Sequence, residues 1–287
     1  MEFVHVSVMP EEVISWAPQD ARLIVDGTAG EAGHTLLLAR RCPNARILAF
    51  DRDPEMLERA RKKLGLAGME NRVELIRGSF GEIPEHTREA DFILLDLGVS
   101  MHHFRGAGRG FSYTDDSLDM RLDPDLEKTA ADIINHSSEK DLKLIFQNYG
   151  EERFAGRIAR AIVQKRPVRT ARDLSSIILG SVPRSRSHPA TRVFQALRIA
   201  VNDELGEIER ALPLLARSLA PGGRLAVISF HSLEDRIVKH GLRALDLKIL
   251  TKKPLEPTEE EVRANPASRS ARLRVAEKPA DNAGEGP

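Results

Sequence analysis

The chain has 287 residues, 41% of them hydrophobic, with 43 basic and 43 acidic side chains, a net charge of zero and one cysteine, Cys42. That length can bury a core in one large or two modest domains, the balanced charge does not by itself indicate a nucleic-acid partner, and a lone cysteine excludes an intramolecular disulfide. No apolar run approaches the roughly 20 residues of a membrane span and no secretory leader begins the chain, so we expect a soluble, cytoplasmic protein without a membrane partner.

After a short helix predicted to begin at Pro10, an apolar run opens into a series of glycines. Residues 22–26 predict a buried strand, Gly27, Gly30 and Gly33 follow, and apolar residues resume as a helix. Glycine lets the backbone take positive φ and lets a ligand lie against bare peptide. The pattern predicts a cofactor loop, and the alternative is a turn that serves only the change from strand to helix.

The spacing of these glycines bears on which cofactor is bound. The dinucleotide fingerprint is G-x-G-x-x-G, whereas this loop reads G-x-x-G-x-x-G. The next apolar run ends in Asp51, and an acidic residue at the end of the second strand can accept both ribose hydroxyls. An adenosine-containing ligand without a pyrophosphate satisfies both observations, and S-adenosylmethionine is the commonest such ligand.

Further strands alternate with helices along the chain. A charged helix is predicted at 54–66, a third strand at 73–77 and a fourth, the most apolar, ending at Asp96. The next such run appears only at 223–231, and unstructured loops of about a hundred residues are rare in compact domains. Alternation at this spacing predicts an α/β fold with a mostly parallel sheet, interrupted by an inserted helical domain.

The domain boundaries follow from this interruption. We predict a sheet domain in two parts, 1–104 and 201–278, a helical substrate-recognition insert at 105–200 and a disordered tail at 279–287. Near the C-terminus, the pattern indicates a strand at 247–250 and an acidic turn at 256–261.

Positive charge is concentrated in two segments. From Glu152 to Arg192 there are ten lysines and arginines but only two acidic residues, a local charge of +8, and such a segment is where a polyanion would bind. Within it, an arginine stripe is predicted beside an apolar helical face; an ordinary solvated face is the alternative. The stripe consists of Arg153, Arg157 and Arg160. The second segment meets no acidic residue and contains Arg263, Arg269, Arg272 and Arg274.

Candidate ligand-binding side chains follow several predicted strands. In an open parallel sheet, ligands bind outside the carboxyl ends of the strands, where Asp51, Phe80, Asp96 and His231 are expected. Phe80 could cover an adenine or belong to the core, Asp96 could cap a turn, and His231, like His34, could be a buried, hydrogen-bonded histidine.

A metal site is not predicted. His102, His103 and Asp96 are the nearest candidates, and none of the ligand spacings typical of zinc is present.

Sequence blocks distributed over nearly the whole chain resemble those of one bacterial family. They are H-V-S-V-M-P-E-E-V at 5–13, D-G-T at 26–28, G-H-T at 33–35, D-R-D-P at 51–54, D-L-G-V-S at 96–100, R-G-F-S at 109–112, L-D-M-R at 118–121, I-S-F-H-S-L-E-D-R at 228–236 and S-R-S-A at 268–271. In these blocks the chain resembles the bacterial 16S ribosomal RNA cytosine-N4-methyltransferase family. The resemblance implies a class I methyltransferase, Rossmann-like fold, S-adenosylmethionine as donor, and a decoding-region cytidine of 16S rRNA or the small ribosomal subunit as acceptor.

The resemblance also implies specific donor-binding residues. By position they are Ala32, Gly33, His34, Asp51, Phe80, Asp96 and His103. Ala32 stands where the family usually has glycine, which we expect to place a methyl close to the ligand, and M-H-H at 101–103 replaces the more common S-P-Q. Arg269 and Arg272 join the arginine stripe as candidate RNA contacts.

The residue types independently favour methyl transfer to an exocyclic amine. Transfer to a pyrimidine C5 would need a cysteine nucleophile, and Cys42 precedes the second strand, at the opposite edge of the sheet. An amine attacks the methyl directly but needs hydrogen-bond acceptors and in-line positioning. We expect Asp96 to supply the acceptor, with His231 as a second candidate. The alternative functions are a nicotinamide-dependent oxidoreductase and a noncatalytic ribosome-assembly factor that binds RNA.

Overall fold

A mostly parallel sheet organises the chain in this computed structural model, which describes residues 7–105, 108–183 and 188–280. The strands of the described chain are β1 Leu23–Asp26, β2 Arg46–Asp51, β3 Val73–Arg77, β4 Ala90–Asp96, β5 Leu219–Ser229, β6 Lys248–Ile249 and β7 Arg272–Glu277. They lie in the order β3-β2-β1-β4-β5-β7-β6. Strands β1 to β5 are parallel to one another, and β7 is antiparallel to both β5 and β6.

Helices connect the strands and form the long interruption between β4 and β5. They are α1 Pro10–Trp16, α2 Gly33–Arg41, α3 Pro54–Leu66, α4 Ile83–His86, α5 Met101–Arg105, α6 Ala130–His136, α7 Glu139–Gly150, α8 Ala155–Gln164, α9 Ala171–Ser181, α10 Thr191–Asn202, α11 Glu204–Ser218, α12 Ser232–Ala244 and α13 Glu259–Ala264. Short 3₁₀ helices cover Phe80–Glu82 and Pro266–Ser270. No helix in the described ranges is long and apolar enough to cross a membrane.

The central strands bury both of their faces, as a parallel sheet covered by helices requires. Alternate residues point to opposite sides, so Ile24 joins one core cluster while Val25 joins another. On β4, Phe92 and Ile93 divide in the same way. The prediction of an α/β fold with a mostly parallel sheet is confirmed. The apolar runs of the sequence correspond to the strands that are buried on both faces.

The C-terminal region differs from the prediction. The acidic turn expected at 256–261 begins α13, whose first turn is capped by the Thr258 hydroxyl accepting from the Glu261 N–H. The end of the arginine-rich segment, with Arg272 and Arg274, forms β7, in which Leu273 and Val275 are buried. We did not predict this strand, because the arginines between its apolar residues gave the segment the composition of an exposed basic run.

The chain divides into two compact units. One extends to Gly98 and resumes at Leu205, and the other covers Val99–Glu204. The first, which we call the sheet unit, contains every strand of the described chain. The second, the helical unit, has its own core, in which Phe146, Ile158 and Leu197 are fully buried.

Some sequence features lie outside the described residues. They are His5 and Val6 of the first family block, Arg184 and Arg186 of the basic segment, and the part of the predicted tail from residue 281 onward. Substrate recognition by the insert at 105–200 stays a prediction.

Candidate active site

The loop that follows β1 is fastened to the strands on either side. The Gly27 N–H donates to the carbonyl of Leu94 on β4 at 2.8 Å, and the Ala29 N–H donates to the carbonyl of Phe50 on β2 at 2.7 Å. A Cβ on Gly27 would lie 2.5 Å from Leu95 Cδ2, which is closer than packed atoms allow. Glycine at this position therefore permits the close approach of loop and sheet.

Two residues of this loop adopt left-handed backbone conformations. Gly30 has φ of 51°, and a Cβ there would meet no atom within 4 Å, so the loop is open at this point. Ala32 has φ of 59° and precedes α2. Its side chain is fully buried in the core, and the expectation that its methyl lies close to a ligand stays a prediction. Positive φ is itself a reason for glycine to be preferred at position 32.

Asp51, at the end of β2, holds the glycine loop. Its Oδ2 accepts a hydrogen bond from the Gly30 N–H at 2.8 Å, and its Oδ1 accepts from the Asp53 N–H at 2.9 Å. The residue is partly exposed, and a carboxylate oxygen can accept more than one hydrogen bond. The carboxylate is thus oriented beside the open part of the loop, where a ligand hydroxyl could reach it.

Asp96, at the end of β4, has an unusual environment. Its N–H donates to Thr28 Oγ1 at 2.7 Å, which ties the end of β4 to the glycine loop. Its Oδ1 is buried and accepts no hydrogen bond from the described part of the chain, while Oδ2 lies 3.6 Å from His34 Nε2, beyond hydrogen-bond range. Burial, followed by the nearby Asp26 and Glu234 carboxyls, raises the pKa of Asp96 well above its ordinary value.

Asp26 lies beneath the loop and was not among the predicted ligand-binding residues. It is 1% exposed, its Oδ2 accepts from the Thr35 hydroxyl at 2.6 Å, and its Oδ1 accepts from the Thr28 N–H at 3.2 Å. Burial raises its pKa to about 6, although both hydrogen bonds act in the opposite direction. Asp26 therefore joins β1, the loop and α2. Its position directly before the first glycine of the loop is the sequence feature that could have indicated this role.

His231 caps a helix. It is the N-cap of α12, and its Nδ1 accepts a hydrogen bond from the Glu234 N–H at 3.4 Å. The Glu234 side chain, only 1% exposed, accepts from the His231 N–H at 3.3 Å in return, and also from the Phe230 N–H at 2.8 Å. This reciprocal capping supports the structural alternative for His231.

Phe80 belongs to the core, in agreement with its structural alternative. It is 7% exposed, and it packs in the cluster that contains Ile83 and Leu95. Adenine contact by Phe80 stays a prediction. The structure thus brings Gly33, His34, Asp51, Phe80 and Asp96 together at the strand ends of the sheet unit.

His103 and the arginine stripe belong to the helical unit. His103, on α5, is 3% exposed, and its ring centroid lies 5.2 Å from that of Phe111. All three stripe arginines are exposed. Helix α8 begins at Ala155, so Arg153 precedes the helix and its guanidinium lies over the Phe154 ring at 4.5 Å. Arg160 Nε lies 3.4 Å from Glu139 Oε1.

Most arginines of the second basic segment pair with carboxylates in the structure, which their sequence neighbourhood did not indicate. Arg274, 7% exposed, donates two hydrogen bonds to Asp235 at 2.7 and 3.1 Å, and Arg272 Nη1 lies 3.2 Å from the same carboxylate. Burial raises the pKa of Asp235, but the hydrogen bonds and charges of these arginines bring it below its ordinary value. Arg263 pairs with Glu259 at 3.1 Å, whereas Arg269 is exposed on a 3₁₀ helix.

The strand order, with β7 antiparallel among parallel strands, and the glycine loop between β1 and α2 define the fold of a class I methyltransferase. The chain belongs to the MraW methylase family, whose model matches residues 2–279. The family resemblance seen in the sequence blocks is thereby confirmed.

Curated relatives show the same likeness over nearly the whole chain. A protein named ribosomal RNA small subunit methyltransferase H from Trichormus variabilis is 47% identical, covering 97% of this chain and 93% of the relative. One of the same name from Leptospira biflexa is 46% identical over 96% and 95% of the two chains. A solved rRNA methylase from Streptococcus thermophilus is 15% identical with a TM-score of 0.43, covering 94% of this chain and 95% of that one.

Proposed function

We propose that this chain transfers a methyl group from S-adenosylmethionine to the exocyclic N4 amine of a cytidine in the decoding region of 16S rRNA. The observation that carries the proposal is the match of almost the whole chain to relatives named ribosomal RNA small subunit methyltransferase H. The same likeness supports 16S rRNA or the small ribosomal subunit as the partner, and the cytoplasm as the location. A nicotinamide-dependent oxidoreductase has no support among these relatives.

The residues at the strand ends fit an adenosyl donor. Asp51 is an oriented, partly exposed carboxylate beside the open backbone of Gly30, as a ribose diol requires. Asp96 Oδ1 is a buried acceptor that receives no donor from the described residues, and buried polar atoms in folded proteins are nearly always paired. Gly33, His34 and the remaining predicted donor contacts, Ala32, Phe80 and His103, stay part of this proposal.

When bound, S-adenosylmethionine supplies an electrophilic methyl on sulfur. The protein must then orient the cytosine amine, whose lone pair is delocalised into the ring, and accept hydrogen bonds from its N–H groups. Asp96 is the residue best placed for this, because its Oδ1 is an acceptor at the end of the central strand. His231 is the second candidate, although its Nδ1 already caps α12.

RNA binding is assigned to exposed arginines. Arg153, Arg157 and Arg160 carry positive charge in the basic part of the helical unit, and each can contact a phosphate. Arg269 offers an exposed cation in the sheet unit, and Arg272, 45% exposed, can reach solvent beside Asp235.

Two measurements separate this function from its alternatives. Equilibrium binding of labelled S-adenosylmethionine in competition with NADH tests the oxidoreductase, and preference for NADH would overturn the proposal. Methyl transfer to small subunits from a strain that lacks this gene tests the noncatalytic assembly factor. In that assay we expect incorporation of label into rRNA, and none at all would leave only a binding role.

A further inference from the structure

An exposed pair of stacked aromatic rings lies in the helical unit. The imidazole of His188 stacks on the ring of Tyr113, with centroids 4.2 Å apart and 9° between the ring planes. His188 is exposed and Tyr113 partly exposed. Tyr113 directly follows the R-G-F-S block at 109–112, to which the proposed donor and acceptor sites assign no role.

Both rings are held by contacts with α10 and the residues just before it. The Tyr113 hydroxyl is hydrogen-bonded to Thr191 Oγ1 at 2.8 Å, and its ring meets the ring of Phe194 edge-on at 4.8 Å. His188 Nδ1 accepts from the Ala190 N–H at 3.3 Å. Tyr113 stacks on one face of the imidazole, and His188 as a whole is exposed, so its ring is accessible to a second planar group.

Two exposed arginines lie near the stack, Arg172 through a contact beside Tyr113 and Arg192 by its position in the sequence. The Arg172 guanidinium, 62% exposed, donates to the carbonyl of Thr114, next to Tyr113, at 2.9 Å, and it also pairs with the exposed Asp116 at 3.0 Å. Arg192, also exposed, follows Thr191. Single-stranded RNA is bound by such a combination, in which a rigid aromatic face receives a base and nearby cations receive phosphates.

We propose that the exposed face of His188 stacks on one unpaired nucleobase of the RNA substrate, with Arg172 and Arg192 contacting the flanking phosphates. The identity of the ligand as RNA rests on the proposed function, and the stacking site adds a defined contact in the helical unit. Every base has a π-face, so this contact contributes affinity and register and does not select a particular base.

Binding of a fluorescein-labelled, short single-stranded oligoribonucleotide tests the stacking site. His188→Leu removes the π-face, and His188→Gln removes it while keeping an acceptor for the Ala190 N–H. Both should lower affinity by about 5- to 150-fold, the loss expected for one base stack, whereas His188→Phe should stay within about threefold of wild type. Wild-type affinity in either folded non-aromatic variant would overturn the proposal.

A second measurement needs no variant. The same oligoribonucleotide carrying 2-aminopurine should lose fluorescence on binding to the wild-type chain, because stacking quenches that base. No fluorescence change at saturation, at every position of the label, would overturn the proposal.

Methyl transfer is measured separately, so that the two proposals fail in different ways. Wild-type protein that does not methylate small-subunit RNA would overturn the proposed function, while the binding comparison would still report on His188. Normal methyl transfer together with unchanged RNA affinity in His188→Gln would overturn the stacking site alone. Melting temperatures and S-adenosylmethionine affinities should match wild type in all three variants.

Discussion

Asp96 carries the most unusual side-chain environment at the strand ends. Its Oδ1 receives no hydrogen bond from the residues that the structure describes, and burial with two neighbouring carboxyls raises its pKa. An unsatisfied buried acceptor is costly to a folded chain. Perturbed carboxyls of this kind are concentrated at functional sites, where a ligand can offset the cost by donating a hydrogen bond.

Asp96→Asn tests this role directly. Asparagine is neutral and offers one acceptor oxygen, so we expect the single-turnover rate at saturating donor to fall by about 100-fold or more. Asp91→Asn, at the other end of β4, should leave that rate unchanged. Equal rates for wild type and Asp96→Asn would contradict a role at the acceptor amine.

The pH dependence of transfer follows from the direction of the Asp96 pKa shift. The acceptor must be ionised, and because its pKa is raised, wild-type transfer should be lost on acidification at a pH above the ordinary aspartate range. The acidic limb should be absent from the Asp96→Asn profile. A wild-type rate that stays constant down to the ordinary aspartate range would contradict this assignment.

Asp51→Ala tests the donor site. Losing charge-assisted hydrogen bonds to the ribose should weaken S-adenosylmethionine binding by about 1.5 to 3 kcal/mol, measured by titration calorimetry. Asp51→Asn keeps an oxygen for the Gly30 N–H and should lose less, which separates the ribose contact from loosening of the loop. An unchanged dissociation constant in Asp51→Ala would exclude the ribose contact.

Individual ligand-binding residues were predicted from the sequence by their position at the end of an apolar run. Asp51 and Asp96 could be found in this way because each follows a buried strand. Asp26 also ends a buried strand, but its hydrogen bond to Thr35 on α2 is not revealed by residue spacing, and neither is the bond from the Asp96 N–H to Thr28. The partners of Arg274 were hidden for the same reason, because Asp235 is distant in sequence.

The β1, loop and α2 element contains a buried carboxyl whose titration should affect stability. The pKa of Asp26 is about 6 in the folded chain against 3.8 for an ordinary aspartate. Between these values the folded state keeps a proton that the unfolded state has released, so the free energy of unfolding falls as pH rises from about 4 to about 6. The Asp26 carboxyl therefore contributes less to the free energy of unfolding at neutral pH than at weakly acidic pH.

Asp26→Asn removes this titration. Relative to wild type, its free energy of unfolding should increase by at most about 3 kcal/mol between pH 4 and 6 and then stay level. Urea denaturation at several pH values measures this difference. Parallel pH profiles for the two proteins would show that the Asp26 pKa is ordinary.

Two arginines of the stripe, Arg157 and Arg160, lie on α8, and Arg153 lies just before that helix. Each lost phosphate contact should reduce the slope of log affinity against log salt by about 0.7 to 0.9, so alanine at Arg153, Arg157 and Arg160 should flatten it by about 2 to 3 in total. Arg61→Ala, which removes an exposed arginine paired with Glu58 on α3, is the matched control and should leave the slope unchanged.

S-adenosylmethionine affinity should be unaltered in the triple variant, because the proposed donor contacts of the sheet unit are intact. A lower melting temperature with an unchanged salt slope would show that these arginines are structural.

Elements with a clear apolar period could be predicted from the sequence, and β7 could not. Helix α3 and strand β3 match their predicted bounds. In each, the buried face requires apolar residues at the regular spacing of that type of secondary structure. In β7, Arg274 occupies a buried position that only its ion pair with Asp235 makes tolerable, so its apolar alternation was obscured. Polar residues satisfied by distant partners are therefore the main source of error at this scale.

At the scale of the whole molecule, a chain of zero net charge contains two units with different expected tasks. The sheet unit carries Asp51 and Asp96, and the helical unit carries Arg153, Arg157, Arg160 and the His188 stack. The long stretch of sequence between β4 and β5 indicated that the sheet unit is interrupted by an inserted helical unit. The tasks of the two units still rest on the proposed function.

Mass spectrometry of methylated rRNA tests the central claim most directly. Purified protein is incubated with S-adenosylmethionine and small ribosomal subunits from a strain that lacks this gene, and the rRNA is digested and mapped. We predict one N4-methylcytidine in the decoding region, absent without the donor and strongly reduced with Asp96→Asn. No methylated nucleotide, or a methyl group on C5 of the pyrimidine ring, would contradict the proposed function.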